Sequence, residues 1–309
     1  MPEVVEVRKY TDFIREKLHN NPITNITILN GRYKKHSPFE LFQYFKSHTP
    51  LKVVDVKSKG KLMYFVFEND YYLLCTLGLS GGWVFIENTE NELDNITEEN
   101  YQHPFALQYL YDMDTKAYLK KMSHHLNVKF STKDGVLYFY DMLSFGTLKG
   151  IHGATELEKK LKTLGPDIMS NLTTFEVFSD MITKKTNLDK EIGNVVVNQK
   201  VISGLGNYLR ADVLWLSKIS PFRKVKDLSK SDLQKIFHNS KLLTWGEYDR
   251  KEGIKLNIIS ESDKIPLDYK RNFFVYMQKE DIHGHVVKTD TLFEGSQKRT
   301  IHWVPEVQK

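Results

Sequence analysis

The sequence predicts an α+β protein of two domains. An antiparallel β-sandwich led by one helix comes first, then a helical domain that ends in a β-hairpin. Three observations carry this reading. Apolar runs with strand character dominate the first half, helical periodicity takes over after the middle of the chain, and strand-like alternation returns at the tail. With 309 residues, 40% hydrophobic and 12% aromatic, the chain is long enough to bury a core in each domain.

From Glu3 to Leu18, residues Val4, Val7, Thr11, Ile14 and Leu18 recur at intervals of three and four, which is one inward face of a helix. KLMYFVF and YYLLCTL then flank Glu68-Asn69-Asp70, and VKFST and VLYFYDM flank Asp134-Gly135, which reads as two hairpins. The stretch LKGIHGATELEK, with Gly150 and Gly153, loses the alternation and reads as a linker. TTFEVFSDMITKK, DKEIGNVVVNQ and GNYLRADVLWLSKI read as helices, the last stopping at Ser220-Pro221. A further helix opens at Ser229, with Asp232 in its first turn to complement the dipole, and runs towards Trp245. After a polar loop around residues 255–265, the segments FFVYM, HVVKTDTLF and KRTIHWV read as strands, the last two paired around Glu294-Gly295-Ser296. The expected domains are residues 1–150, a linker over 151–165, residues 166–270, and a terminal unit over 271–309.

Composition narrows the function classes. The 44 Lys plus Arg exceed the 39 Asp plus Glu by five, a mild excess that permits a polyanionic partner. The single cysteine, Cys75, lies in the apolar run Tyr71 to Leu77 and reads as a buried thiol, so a disulfide framework within the chain is excluded. No tract reaches the roughly 18–20 apolar residues that span a bilayer, and MPEVVEVRKY is too charged for a secretory signal. The expectation is a soluble intracellular protein with no membrane partner, its compartment not encoded.

The chemistry-bearing features lie at the start and in the helical half. Removal of Met1 ahead of a small second residue would give Pro2 a free secondary amine. An α-amino group has a reference pKa of about 7.7–8.0, and the positive end of the helix behind it lowers that value, leaving a reactive fraction unprotonated at neutral pH. Such an amine attacking a sugar carbon gives a cationic iminium, an electron sink, and Glu3 beside it can move protons. In QKVISGLGNYLRADVLW, Gly204 and Gly206 form a turn that opens onto a helix. Unpaired amides at that helix start are expected to form an anion site, with Asn207 adding a side-chain donor and Lys200 adding charge.

On these residues the chain resembles the Fpg/Nei family of DNA glycosylases, also called helix-two-turn-helix glycosylases. MPEVVEV resembles the family's Met-Pro-Glu-Gly-Pro-Glu-Val start. That resemblance implies Pro2 as nucleophile, Glu3 as proton shuttle and Glu6 as a helper near the base pocket. KGKLMYFVF followed by LGLSGGW resembles the lysine-bearing β-turn and the loop behind it. It implies Lys61 at the phosphates flanking a lesion and Leu79 in the void left by an extruded base. LGPDI with QKVISGLGNYLRADVLW resembles the helix-two-turn-helix and implies Asn207 as a phosphate ligand. FFVYM through KRTIHWVPEVQ resembles the C-terminal finger and implies Arg299 at its phosphate-binding arginine. The implied activity is a bifunctional glycosylase and abasic-site lyase of base excision repair. It would remove oxidised bases through a Pro2 iminium and cleave the strand by β,δ-elimination. Its partner would be damaged double-stranded DNA, with single-stranded DNA a second form, and it would act as a monomer without a cofactor.

The departures from the family pattern carry information too. The finger usually holds four zinc-binding cysteines, and none lies here, so the tail resembles the zincless finger of the Nei-like branch. His283, His285 and His302 read as surface residues of the hairpin, with no metal. DMLSFG stands where the family often has Asp-Pro-Arg-Arg-Phe-Gly. Phe145 keeps the aromatic wedge, while Leu143 replaces an arginine and can only fill space, which implies weak discrimination among opposite bases. Val4 and Val5 replace the usual Gly-Pro. Three other readings stay open: a catalytically inactive helix-two-turn-helix nucleic-acid-binding protein whose Met1 blocks the amine, a helix-hairpin-helix glycosylase using an internal lysine, and a ribosomal-type RNA-binding module.

Overall fold

A computed structural model describes residues 2–87, 100–105, 123–249, 273–294 and 297–309. The chain divides into two compact units, one formed by Pro2 and Glu6–Leu161, the other by Glu3–Val5 and Lys162–Lys309. The polar loop expected around 255–265 and the hairpin tip Gly295-Ser296 lie outside the described residues, as does Met1.

Helix α1 (Val4–Leu18) heads the chain. Of its predicted inward residues, Val7, Ile14 and Leu18 join the core of the first unit and Thr11 is fully buried, whereas Val4 packs in the core of the second unit. There follow β1 (Asn25–Ile28), α2 (Gly31–Lys35), α3 (Phe42–Ser47), β2 (Val53–Lys59), β3 (Leu62–Phe67), β4 (Tyr71–Thr76), β5 (Gly81–Glu87), β6 (Tyr101–Gln102), β7 (Leu126–Ser131), β8 (Gly135–Asp141) and β9 (Thr147–His152). The strands form two antiparallel sheets, ordered β1-β7-β8-β5-β6 and β2-β3-β4-β9.

Strand period explains the core between them. Leu137 and Phe139 of β8 join the main cluster with Phe65, Trp83 and Phe130, whereas Val136, Tyr138 and Tyr140 face a second cluster with Val84, Ile86 and Leu126. Burial on both faces accounts for the unbroken apolar run VLYFY. Trp83 packs against Phe65 and Phe139 with ring centroids 5.3 and 5.1 Å apart. Cys75 is fully buried, and burial pushes its thiol far above the ordinary cysteine range, consistent with an inert structural thiol.

One polar knot lies in this unit. Tyr10 Oη meets Tyr140 Oη at 2.7 Å and His103 Nε2 at 2.9 Å, and His103 Nδ1 lies 3.1 Å from the Phe105 carbonyl. The Phe105 N–H also lies 3.2 Å from Nδ1, and in either neutral tautomer one ring nitrogen donates and the other accepts, so the ring works as a neutral group. Burial lowers His103 to about 4. The folded-state value lies below the unfolded one, so as pH falls from about 6.5 towards 4 the unfolded chain takes up a proton that the folded chain refuses. Stability is therefore present above that window and lost as pH falls through it. Part of the residue remains accessible, which reduces the effect to roughly 1–2 kcal/mol. His103→Gln is expected to flatten melting temperature against pH between 4 and 6.5, and an unchanged slope would contradict this assignment.

The stretch LKGIHGATELEK is regular structure rather than loop, and the boundary between the two units falls just past it, between Leu161 and Lys162. Its first part is β9, paired with β4 from Tyr71↔His152 to Thr76↔Thr147, and its second is α4 (Ala154–Lys162). Gly150 broke the alternation because of a close approach. A Cβ there would stand 2.4 Å from the Glu40 carbonyl oxygen and 2.8 Å from Phe45.

The second unit holds α5 (Phe175–Ile182), α6 (Ile192–Val195), α7 (Asn207–Leu216), α8 (Lys230–Asp249), β10 (Lys288–Glu294) and β11 (Gln297–Trp303). DKEIGNVVVNQ yields only the short α6. Ser229 and Asp232 exchange hydrogen bonds of 3.1 Å at the head of α8, a capping box that matches the predicted start. The hairpin β10–β11 is antiparallel in register Leu292↔Arg299. FFVYM is a turn rather than a strand. The N–H groups of Phe274, Val275 and Tyr276 donate to the buried carboxylate of Asp212, which takes the donors a sheet ladder would need.

Candidate functional site

In the first unit, Pro2 is half-buried directly ahead of α1, and Glu6 is half-buried in its first turn. Lys61 is half-buried in the β2–β3 turn. Leu79 lies in the β4–β5 turn, and Leu143 and Phe145 lie between β8 and β9.

These last two loops are fastened together by Asp141, which is only 2% exposed. Its Oδ1 accepts from Ser80 Oγ at 2.6 Å and from the Leu143 N–H at 3.2 Å, and its Oδ2 accepts from the Gly146 N–H at 2.6 Å. Ser80 Oγ also accepts from the Leu143 N–H at 2.9 Å. Gly78, at φ +60°, sits where the loops touch. A Cβ there would be 2.6 Å from the Gly146 nitrogen and 2.7 Å from the Phe145 carbonyl carbon. The clamp presents Leu79, Leu143 and Phe145 to solvent at 45%, 55% and 58% exposure. Three large apolar side chains are thus held out of the core on buttressed loops. Asp141 and Ser80 were not singled out in the sequence. The signal available was the acid before a loop whose amides need an acceptor, in DMLSFG.

In the second unit the structure corrects the expected anion site at the start of α7. The amides there are not unpaired. Glu3, fully buried, accepts from Gly206 N–H at 2.6 Å and Leu209 N–H at 3.4 Å through Oε2, and from Tyr208 N–H at 3.0 Å through Oε1. An internal carboxylate thus complements the helix N-terminus, where a phosphate was expected. Val4 N–H donates to the Gly204 carbonyl at 3.2 Å, which holds the adjoining turn in place.

Asn207, the first residue of α7, is half-buried and keeps its side chain for other work. Its Oδ1 accepts from Arg210 at 3.4 Å, and among the described residues its Nδ2 donates to none. Arg299 on β11 is half-buried and electrostatically close to Arg210. Lys200 is exposed just ahead of the turn, its N–H bound to Asn198 Oδ1 at 3.0 Å. His285 pairs with Asp281 at 3.0 Å, and His302 packs on Tyr276. No group among the described residues is arranged to hold a metal ion.

Three profiles match the sequence in chain order. The formamidopyrimidine-DNA glycosylase N-terminal domain matches residues 1–148, its H2TH domain matches 164–245, and its C-terminal domain matches 263–309. The chain belongs to the formamidopyrimidine-DNA glycosylase family.

Relatives of this family member include Endonuclease 8 of Escherichia coli strain 55989, 22% identical over 238 residues, which are 77% of this chain and 76% of that protein. Endonuclease 8 of Shigella sonnei strain Ss046 matches with the same identity and coverage. Solved structures alike in fold include Lactococcus lactis Fpg in complex with DNA containing an abasic site. A second is the wild-type Lactococcus lactis Fpg with DNA containing an oxidized pyrimidine. Each has a TM-score of 0.72 at 19% identity and covers 100% of both chains. The Fpg/Nei resemblance and the two-domain α+β class read from the sequence are both borne out. No helix among the described residues is long and apolar enough to cross a membrane.

Proposed function

We propose that this family member is a bifunctional DNA glycosylase and abasic-site lyase that removes oxidised bases through the amine of Pro2. The observation that carries the reading is the buttressed trio Leu79, Leu143 and Phe145. A folded protein places three large apolar side chains on a carboxylate-clamped surface to fill a gap, and the gap in this family's chemistry is the space a flipped nucleotide leaves.

The Pro2 nitrogen attacks C1′ of the deoxyribose, the base departs with the electrons of the glycosidic bond, and the nitrogen loses its proton; its lone pair then opens the sugar ring, breaking C1′–O4′ as O4′ takes up a proton, and C1′ and the nitrogen become the iminium. The resulting iminium draws electrons as a C2′ proton leaves and the 3′ phosphate is expelled. A second elimination expels the 5′ phosphate, and water hydrolyses the iminium to free the enzyme. Glu3 serves the proton transfers, Glu6 helps near the base pocket, and Lys61, Asn207, Arg299 and Lys200 hold backbone phosphates. The binding is salt-dependent for that reason. Positioning and the covalent electron sink supply the rate without a cofactor.

Leu143 has no donor for the base left unpaired, so opposite-base discrimination is expected to be weak. Single-turnover excision of an oxidised pyrimidine opposite each of the four normal bases tests both points. The expected result is strand cleavage in every duplex, with rates within about threefold of one another. A hydrogen bond to the orphan base, worth about 1–3 kcal/mol, would spread them by tenfold or more and contradict the role of Leu143. Absence of cleavage in all duplexes would contradict the enzymatic reading.

A further inference from the structure

Arg210 is fully buried in the middle of α7, with no exposed surface. Its guanidinium reaches three parts of the second unit. Nη1 donates to the Gly193 carbonyl in α6 at 3.2 Å. Nη2 donates to the Thr300 carbonyl in β11 at 2.6 Å and to Asn207 Oδ1 at 3.4 Å. Thr300 directly follows Arg299, so one rigid fork ties the residue on α7 expected to hold a phosphate to the strand that carries the other. A lone arginine in the interior is costly unless its position repays the loss of hydration.

We propose that Arg210 is a positioning residue for the DNA-backbone grip of Asn207 and Arg299, fixing both on one frame and placing a second positive charge behind the bound phosphate. The proposal rests on the glycosylase reading above. It has support on both sides of the fork. By donating to Oδ1, Arg210 fixes the plane of the Asn207 amide, and Nδ2 is then the edge left to donate to a phosphate oxygen. On β11, the 2.6 Å bond to the Thr300 carbonyl sets the strand one residue beyond Arg299. Burial, and then the like charge of Arg299, lower Arg210 to about 10, with Glu3 acting in the opposite sense. A phosphate anion at Arg299 would act on Arg210 in the same sense as Glu3.

The rest of α7 supports the same frame. Asp212 takes the N–H groups of Phe274, Val275 and Tyr276 at 3.1, 3.0 and 3.2 Å, and Trp215 Nε1 donates to Asp281 Oδ2 at 3.1 Å. Asp281 in turn receives the His283 and His285 N–H groups at 2.9 Å. Arg210, Asp212 and Trp215 thus anchor three separate points of the tail to one helix.

The test uses the full chain with Arg210→Met, Arg210→Lys, Arg299→Ala and the Arg210→Met/Arg299→Ala double variant. Three quantities are measured: affinity for a duplex carrying a reduced, uncleavable abasic site at several salt concentrations, the single-turnover rate at saturating enzyme, and thermal melting. Arg210→Met is expected to weaken binding by about tenfold or more while the rate at saturation stays within about threefold of wild type. Arg210→Lys keeps the charge without the fork and recovers only part of the affinity. The double variant binds within about twofold of Arg299→Ala, because Arg210 acts through its neighbour. Affinity for Arg210→Met within twofold of wild type, or losses that multiply in the double variant, would overturn the proposal. If Arg210→Met does not fold, full affinity in Arg210→Lys would overturn the positioning role. Binding to the uncleavable duplex requires no chemistry, so a failure of the lyase reading leaves this outcome separately legible.

Discussion

Glu3→Gln is expected to lose both base excision and thermal stability, and Glu3→Ala to lose more of each. Glu3 is an ionisable side chain with two duties in this account. Its position beside Pro2 supplies the proton transfers that general acid–base catalysis values at about 10²–10⁴-fold in rate. Its buried oxygens also accept the N–H groups of Gly206, Tyr208 and Leu209 at the start of α7. Glutamine keeps the shape and one accepting oxygen but turns an NH2 group towards donors. Alanine leaves buried amides with no acceptor, which costs about 3–5 kcal/mol, or on the order of 10 °C in melting temperature for a domain of this size. A purely catalytic Glu3 would leave Glu3→Gln melting with wild type, so a calorimetric scan beside a single-turnover assay separates the two roles. Matching melts would contradict the capping role, and retained excision the proton-transfer role.

The second large effect concerns Pro2. Adding one residue ahead of it is expected to abolish strand cleavage by at least ~10³-fold, because the amine becomes an amide and no iminium can form. DNA affinity and melting temperature should hold, since Asn207 and Arg299 lie in the second unit and Pro2 makes no part of either core. Binding titrations and melting of the extended protein, beside cleavage of an abasic duplex, check the three quantities together. Intact mass shows whether Met1 has been removed from the unextended protein. Cleavage by the extended protein at the wild-type rate would place the nucleophile elsewhere.

The architecture was legible wherever the signal was local. The β3–β4 hairpin announced itself by apolar runs either side of Asn69 and Asp70, both of which adopt positive φ, and α8 by the Ser229–Asp232 box. The misreadings share one cause, a distant partner. FFVYM has strand composition, but Asp212, far back along the chain, takes its amides. LKGIHG read as a linker because Gly150 breaks the alternation, and that glycine is the place where β9 meets the Glu40 carbonyl and Phe45.

The same holds for the site. Motif matching named Pro2, Lys61, Asn207, Arg299, Leu79, Leu143 and Phe145. The side chains that hold some of them, Asp141 under the loops and Arg210 under Asn207, touch their targets only after folding. Two charged residues inside the otherwise apolar helix NYLRADVLWL were the available hint, because a buried charge needs a partner. The amides of the Gly-x-Gly-Asn turn illustrate the opposite error. The pattern correctly marked a helix start in need of negative charge, and the chain supplies that charge itself through Glu3.

The most direct test of the account is borohydride trapping on a duplex with an abasic site, followed by proteolysis and mass spectrometry of the adduct. The account predicts a covalent protein–DNA species in the wild type, with the reduced sugar on the N-terminal peptide at the nitrogen of Pro2, and none in the extended protein. An adduct on an internal lysine, or no adduct at all in the wild type, would contradict it.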